Sequence, residues 1–208
     1  MARYTGPDCK LCRRERQKLY LKGTKCDSPK CPVELRPYPP GEHGRGRIKE
    51  SEYLLQLREK QKARRIYGVL ERQFRGYYQT ATGMEGLTGE NLLRLLETRL
   101  DNVVYRGSLA RSRDEARQLV RHRHILVNGR TVSIPSYQVR VGDVVEFREE
   151  SRSITPVIAS LEIFGRRSVP DWLQTDAEAR RINVRGLPER RQIDVPVQEQ
   201  LIVELYSK

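Results

Sequence analysis

Four cysteines stand near the start of the chain in the order Cys9-x2-Cys12-x13-Cys26-x4-Cys31. Thiolates are soft donors, and four at this spacing suit a closed tetrahedral site around one metal centre. The first pair fits on a tight turn, so both sulfurs can face the same ion. A full set of sulfur ligands with no open position describes a structural staple rather than a catalytic metal. The donor set accepts Zn2+ or an iron–sulfur cluster of the 4Fe-4S type, and spacing alone does not choose between them. The alternative without metal is a set of free thiols or a disulfide pair. Lys10, Arg13, Arg14, Arg16, Lys18, Lys22, Lys25 and Lys30 surround the cysteines, which makes this a cage embedded in positive charge.

A second constellation lies mid-chain. Arg113, Arg117 and Arg121 fall at i, i+4 and i+8, one stripe of a helix, and His122 and His124 follow directly. Guanidinium forks pair with phosphate, and each such contact releases counterions and makes affinity salt-dependent. The bland alternative is a solvated helix face. The histidines His43, His122 and His124 have no neighbouring carboxylate pair or nucleophile for acid–base work, so phosphate or backbone hydrogen bonding is the better reading. Arg99-Leu100-Asp101 resembles a short motif of pseudouridine synthases, in which the aspartate is the nucleophile. Here it sits inside a periodic apolar pattern, which predicts a local salt bridge or cap for Asp101. No phosphate-binding loop, dinucleotide fingerprint or Ser–His–Asp order is present.

Composition agrees with a polyanion partner. The 208 residues carry a net charge of +13, and arginines outnumber lysines 31 to 9. An Arg-rich codon bias can account for part of that ratio but not for the net charge. Residues 1–50 carry +7, 51–100 +3, 101–148 +4 and 149–208 −1. The excess therefore sits in the first three-quarters of the chain. Apolar residues at 37% allow a modest core. No apolar run approaches the roughly 20 residues of a membrane span, and the first ten residues lack a signal-peptide pattern. The expectation is a cytoplasmic protein whose thiols stay reduced, with no membrane and no small-molecule substrate.

The elements that must position these groups follow from patterning. Residues 1–47 are rich in Gly, Pro, Cys and basic side chains and cannot bury a core unaided. Ser51 caps a helix that Gly68 stops, and a second helix runs from 71 to about 81. Leu92, Leu96, Leu100 and Val103 predict one helix over 89–106. Ser112-x-x-Glu115 predicts a capping box opening a helix to about Arg121. Strands follow at 124–127, 130–133 and 144–147, with Asn128-Gly129 as the hairpin turn. A helix is expected over 155–164 and a short apolar strand over 201–206.

These blocks together resemble the S-four family of bacterial small-subunit ribosomal proteins over essentially the whole chain. The matching stretches are Arg3-Tyr4-x-Gly6-Pro7, the cysteines, Lys18-Leu19-Tyr20-Leu21-Lys22-Gly23, Arg36-Pro37-Tyr38-Pro39-Pro40-Gly41-x-His43-Gly44, Leu57-Arg58-Glu59-Lys60-Gln61-Lys62, Glu97-x-Arg99-Leu100-Asp101-Asn102-Val103-Val104-Tyr105-Arg106, Ala116-Arg117-Gln118-Leu119-Val120-x-His122-x-His124-Ile125, Val127-Asn128-Gly129 and Leu201-Ile202-Val203-Glu204-x-Tyr206-Ser207. The central block is shared by many proteins with the same RNA-binding module. The proline-rich and C-terminal blocks belong to the ribosomal member.

The resemblance implies a mainly α fold with a small α+β RNA-binding module of two helices plus β-hairpin strands. It also implies a loop-rich N-terminal arm stapled by the four-cysteine metal site. The expected domains are an arm at 1–47, a helical domain at 48–98, the module at 99–162 and a C-terminal return at 163–208. The implied role is non-enzymatic: a primary binder of 16S rRNA at a 5′-domain junction that nucleates subunit assembly. Implied partners are the third and fifth small-subunit proteins and the mRNA as it enters the subunit, with a part in decoding accuracy. A free RNA-binding regulator is the alternative, and an RNA-modifying enzyme would need a further domain. Candidate RNA contacts are Arg3, Arg13, Arg14, Lys22, Arg36, Tyr38, His43, Arg58, Lys62, Arg64, Arg65, Arg111, Arg113, Arg117, Arg121, His122, His124 and Asn128. Relatives carry Gly where this chain has Arg123, so a positive φ there would strain the backbone.

Overall fold

A computed structural model of the chain describes residues 3–46, 49–162, 164, 165 and 167–207. The chain divides into two compact units, Met1–Asn91 with Val195–Lys208, and Leu92–Asp194.

The first unit begins with short elements, α1 (Asp8–Arg14) and α2 (Pro32–Leu35), joined by irregular chain. Its core comes from α3 (Glu52–Ile66), α4 (Glu71–Thr82) and α9 (Glu199–Ser207). Ser51 caps α3 by accepting the Leu54 amide at 3.3 Å, and Gly68 at φ +62° ends the helical run. Leu70 opens α4 without a side-chain cap. The apolar run at 201–206 is helical, not a strand. Six residues are too few for periodicity to decide, and tertiary contacts settle the matter. Ile202 is fully buried, and Tyr206 stacks on Tyr78 with ring centroids 4.6 Å apart. The Tyr206 hydroxyl donates to Glu71 at 2.8 Å, and Gln56 donates to Glu204 at 3.0 Å. Those bonds tie α9 to α3 and α4.

α5 (Thr88–Glu97) leads from the first unit into the second, where α6 (Leu100–Arg106) follows. The single helix expected over 89–106 is broken at Thr98 and Arg99. Arg99 is extended (φ −66°, ψ 137°) and bridges to Gln138. The Leu100 amide donates to the Tyr137 carbonyl at 2.8 Å instead of continuing the helix. The apolar spacing crosses the break unaltered, which is why patterning joined the two helices.

α7 (Arg113–Arg121) packs on α6 and runs into β1 (Ile125–Val127), β2 (Arg130–Thr131) and β3 (Val144–Phe147). Then come α8 (Thr155–Glu162), β4 (Leu173–Asp176) and β5 (Arg181–Val184). The five strands form one antiparallel sheet in the order β2-β1-β3-β5-β4. Leu100, Val103, Val120, Ile125, Val145, Phe147, Trp172 and Ile182 fill the core between helices and sheet. β4 and β5 extend the sheet of the second unit, and the C-terminal stretch grouped with the first unit is 195–208.

Candidate nucleic-acid interface

α7 is anchored at its start. Ser112 accepts the Glu115 amide at 3.2 Å, while the Glu115 carboxylate turns back to the Arg111 amide and guanidinium. The three arginines of its stripe then have different fates. Arg117 is buried and donates to Asp101 at 3.1 Å. Arg113 is half-buried, donates to Asn102 at 2.8 Å and lies over the Tyr105 ring, 4.2 Å from its centroid. Arg121 is exposed at the C-terminal end. A uniform phosphate-facing stripe is therefore not what the fold builds: Arg117 belongs to the interior.

The reason is a buried ionic cluster on α6. Asp101 accepts Arg99 through both carboxylate oxygens, at 3.1 and 2.6 Å, as well as Arg117. Nearby, Arg106 pairs with Glu97 at 2.8 and 3.0 Å, and Asn102 donates to the same carboxylate at 2.8 Å. Fully buried charges persist only when paired and hydrogen-bonded. Asp101 is thus held as a structural counter-charge, and the resemblance of Arg99-Leu100-Asp101 to a catalytic motif stops at the letters.

Beyond α7 the chain turns outward. Arg121, His122, Arg123, Asn128, Arg130 and Arg140 are all exposed around the α7 terminus and the β1–β2 hairpin. Asn128 (φ +50°) and Gly129 (φ +75°) make the tight turn. Both ends of the Asn128 amide are used internally, donating to Asp143 at 2.8 Å and accepting the Val144 amide at 2.9 Å. His124 is half-buried, with Nδ1 2.9 Å from the Ser151 hydroxyl. Burial lowers its pKa, with further push from His122 and Arg148.

In the first unit, Arg58 and Arg65 converge on Glu15, whose side chain is almost fully buried. Burial raises the Glu15 carboxyl against the pull of both guanidiniums. Arg64 pairs with Glu71 at 2.8 Å, and Lys62 with Glu59 at 2.5 Å and with the Pro196 carbonyl at 3.2 Å. These four cations of α3 are half-buried and bind the unit together. Arg111 is exposed and paired with Glu115. Lys22 lies 3.7 Å from Asp8. Arg3, Arg14, Arg36 and His43 are exposed. Arg13 donates to the Arg36 and Tyr38 carbonyls at 3.2 and 3.1 Å, fixing the proline-rich loop, and the guanidiniums of Arg13 and Arg45 both lie over the Tyr38 ring.

The cysteines occupy one neighbourhood of the arm. Cys12, Cys26 and Cys31 are buried and Cys9 is half-buried. Burial pushes the Cys12 thiol up to about 11, opposed by a hydrogen bond from the Leu19 amide; Cys9, Cys26 and Cys31 each add to the rise. Burial also raises Cys26, although the Lys22 amide donates to its sulfur at 3.3 Å. Among the described residues, no three Cys, His, Asp or Glu side chains are gathered as a metal-holding group.

The family described as "Ribosomal protein S4/S9 N-terminal domain" matches residues 3–97, and the "S4 domain" matches residues 98–145. A protein of Acidothermus cellulolyticus described as "Small ribosomal subunit protein uS4" is 67% identical over 208 residues, covering 100% of both chains. Proteins of the same description from Frankia alni and Geobacter sp. (strain M21) are 64% and 60% identical, again over 100% of both chains. The chain belongs to the uS4 family of small-subunit ribosomal proteins.

Arg123 adopts φ +64°, the left-handed region that favours glycine. An exposed arginine held there trades backbone strain for a cation at the α7–β1 corner. Arg140 is brought beside the Asn128-Gly129 turn through Asp143, which accepts the Arg140 amide at 2.7 Å and the Asn128 side-chain amide at 2.8 Å.

Proposed function

We propose that this chain is a structural, non-enzymatic protein of the small ribosomal subunit in the cytoplasm, and a primary binder of 16S rRNA. In this reading it docks at a junction of helices in the 5′ domain and nucleates assembly there. The observation that carries it is the exposed arginines Arg121, Arg123, Arg130 and Arg140 beside the α7 terminus and the β1–β2 hairpin, in a chain that matches the uS4 family along its full length. A-form RNA hides its base edges in a deep, narrow major groove, so arginines placed in this way recognise backbone shape rather than sequence. Arg117 and the α3 cations act indirectly, by holding the scaffold on which these arginines and the arm are mounted. No helix among the described residues is long and apolar enough to cross a membrane.

The finer assignments extend from the family. The partners would be the third and fifth small-subunit proteins and mRNA as it enters the subunit, with an influence on decoding accuracy. Cys9, Cys12, Cys26 and Cys31 would hold Zn2+ or a 4Fe-4S cluster. The sulfurs are the right donor type, and the Lys22 amide donates to Cys26. Burial holds Cys12 and Cys26 toward the neutral thiol, and the described residues are not gathered into a metal-holding group, so binding would have to draw the four together and deprotonate them. When bound, such a centre would cross-link a segment too poor in apolar residues to order itself. The reading is tested by sedimentation at moderate salt: the chain should travel with the small subunit. Recovery only in the free-protein fraction would favour an RNA-binding regulator instead.

A further inference from the structure

The proline-rich loop lines an open cavity of about 480 Å³ whose walls include Arg14, Pro39, Pro40, Glu42, His43 and Gly44. We propose that this cavity receives a single unpaired nucleotide of the bound RNA, its base against the proline faces and its phosphate toward Arg14 and His43. The proposal rests on the rRNA-binding reading and adds to it a specific subsite.

Several observations converge on this ligand. The volume lies within the range of small-molecule sites, which runs from roughly 300 to 1,000 Å³. Flat, apolar proline rings beside the Arg14 guanidinium and the His43 ring suit a planar base joined to a phosphate. The site is also built rather than incidental. A side chain at Gly44 would drive its Cβ into the Pro39 carbonyl oxygen, so backbone packs directly on backbone there. Gly41 sits at φ +109°, a conformation that other residues rarely adopt. Arg13 pins the loop through the Arg36 and Tyr38 carbonyls, and Arg45 donates to the Tyr38 hydroxyl at 3.2 Å. A preformed cavity spares an incoming nucleotide the entropy of ordering the loop. Glu42 adds discrimination. Its negative charge opposes a phosphate on its side of the cavity and accepts hydrogen bonds from an exocyclic amine. Guanine, with adjacent N1–H and amino donors, matches a carboxylate in two places. Uracil sets one N–H between two carbonyl oxygens and matches it poorly.

The test is a titration of the full-length, isotope-labelled chain with 5′-GMP, 5′-UMP and inorganic phosphate, followed by amide NMR. The expected result is that GMP shifts the amides of Gly41, His43 and Gly44 at lower concentration than UMP. Arg14→Gln should weaken GMP about tenfold, and Glu42→Gln should bring GMP and UMP together. Phosphate alone matching GMP would mean a plain cationic patch and would overturn the proposal. So would the absence of shifts at these amides up to the solubility of GMP. Filter binding of the unlabelled chain to rRNA separates the two levels: retained rRNA binding without GMP shifts removes only the subsite, whereas loss of rRNA binding removes the ribosomal reading itself.

Discussion

Replacing Asp101 with asparagine should unfold the second unit at much lower temperature while leaving the exposed arginines chemically intact. Asp101 is the shared carboxylate of Arg99, which is 0% exposed, and of Arg117, which is 6% exposed. Asparagine keeps the shape and the acceptor for the Asn102 amide, 3.0 Å away. It removes the charge that two interior guanidiniums share. Breaking a buried pair from one side costs about 3–5 kcal/mol, and the low end applies because part of the hydrogen bonding survives. For a unit of this size each kcal/mol moves Tm by roughly 4–8 °C, so a loss of about 3 kcal/mol predicts a fall of roughly 12–24 °C. Circular dichroism on the full chain measures it. A double-mutant cycle sharpens the point: adding Arg117→Met to Asp101→Asn should cost less than the two single changes combined, with a coupling of about 1 kcal/mol or more. An unchanged Tm in Asp101→Asn, or strict additivity in the cycle, would refute the claim that this carboxylate serves the interior.

Three further outcomes follow from the geometry. Arg123→Gly should raise stability by up to about 1 kcal/mol, since the relief of left-handed strain slightly exceeds the entropy that glycine loses; a clear fall in Tm would count against strain at that corner. His124 is held below its ordinary pKa, so the folded state binds fewer protons than the unfolded chain just below pH 6.5. Stability should therefore rise with pH through that window and be lost as pH falls, and His124→Asn, which can keep the bond to Ser151, should flatten the dependence in thermal melts. Protein purified without oxygen should contain a single metal centre, colourless for zinc or brown for a cluster. Cys12→Ser should lose it and disorder residues 9–31, whereas a metal-free wild-type chain with an unchanged spectrum would remove the staple.

Much of the scaffold was written locally. Ser51, Gly68, Ser112 and the Asn128-Gly129 pair announce their caps and turns because each acts through its own backbone neighbours. What escaped depends on partners distant in sequence. The break at Arg99 is imposed by Tyr137 and Gln138, while the apolar spacing of Leu92, Leu96 and Leu100 runs straight through it. The burial of Arg117 needs Asp101, sixteen residues earlier on another helix. β4 and β5 carry few alternating apolar residues; β5 forms by pairing with β3, and β4 by pairing with β5. The 201–206 run is helical because Phe74 and Tyr78 await Tyr206. For the candidate interface, the charge total and the arginine spacing could not separate cations that build the module from cations that face outward.

The salt dependence of rRNA binding tests the central claim most directly. In filter binding, the double variant Arg121→Gln/Arg123→Gln should keep its Tm while the slope of log K against log salt shrinks by about one unit per lost phosphate contact. An unaltered slope at unaltered stability would mean that the exposed arginines around α7 and the β1–β2 hairpin do not meet the RNA.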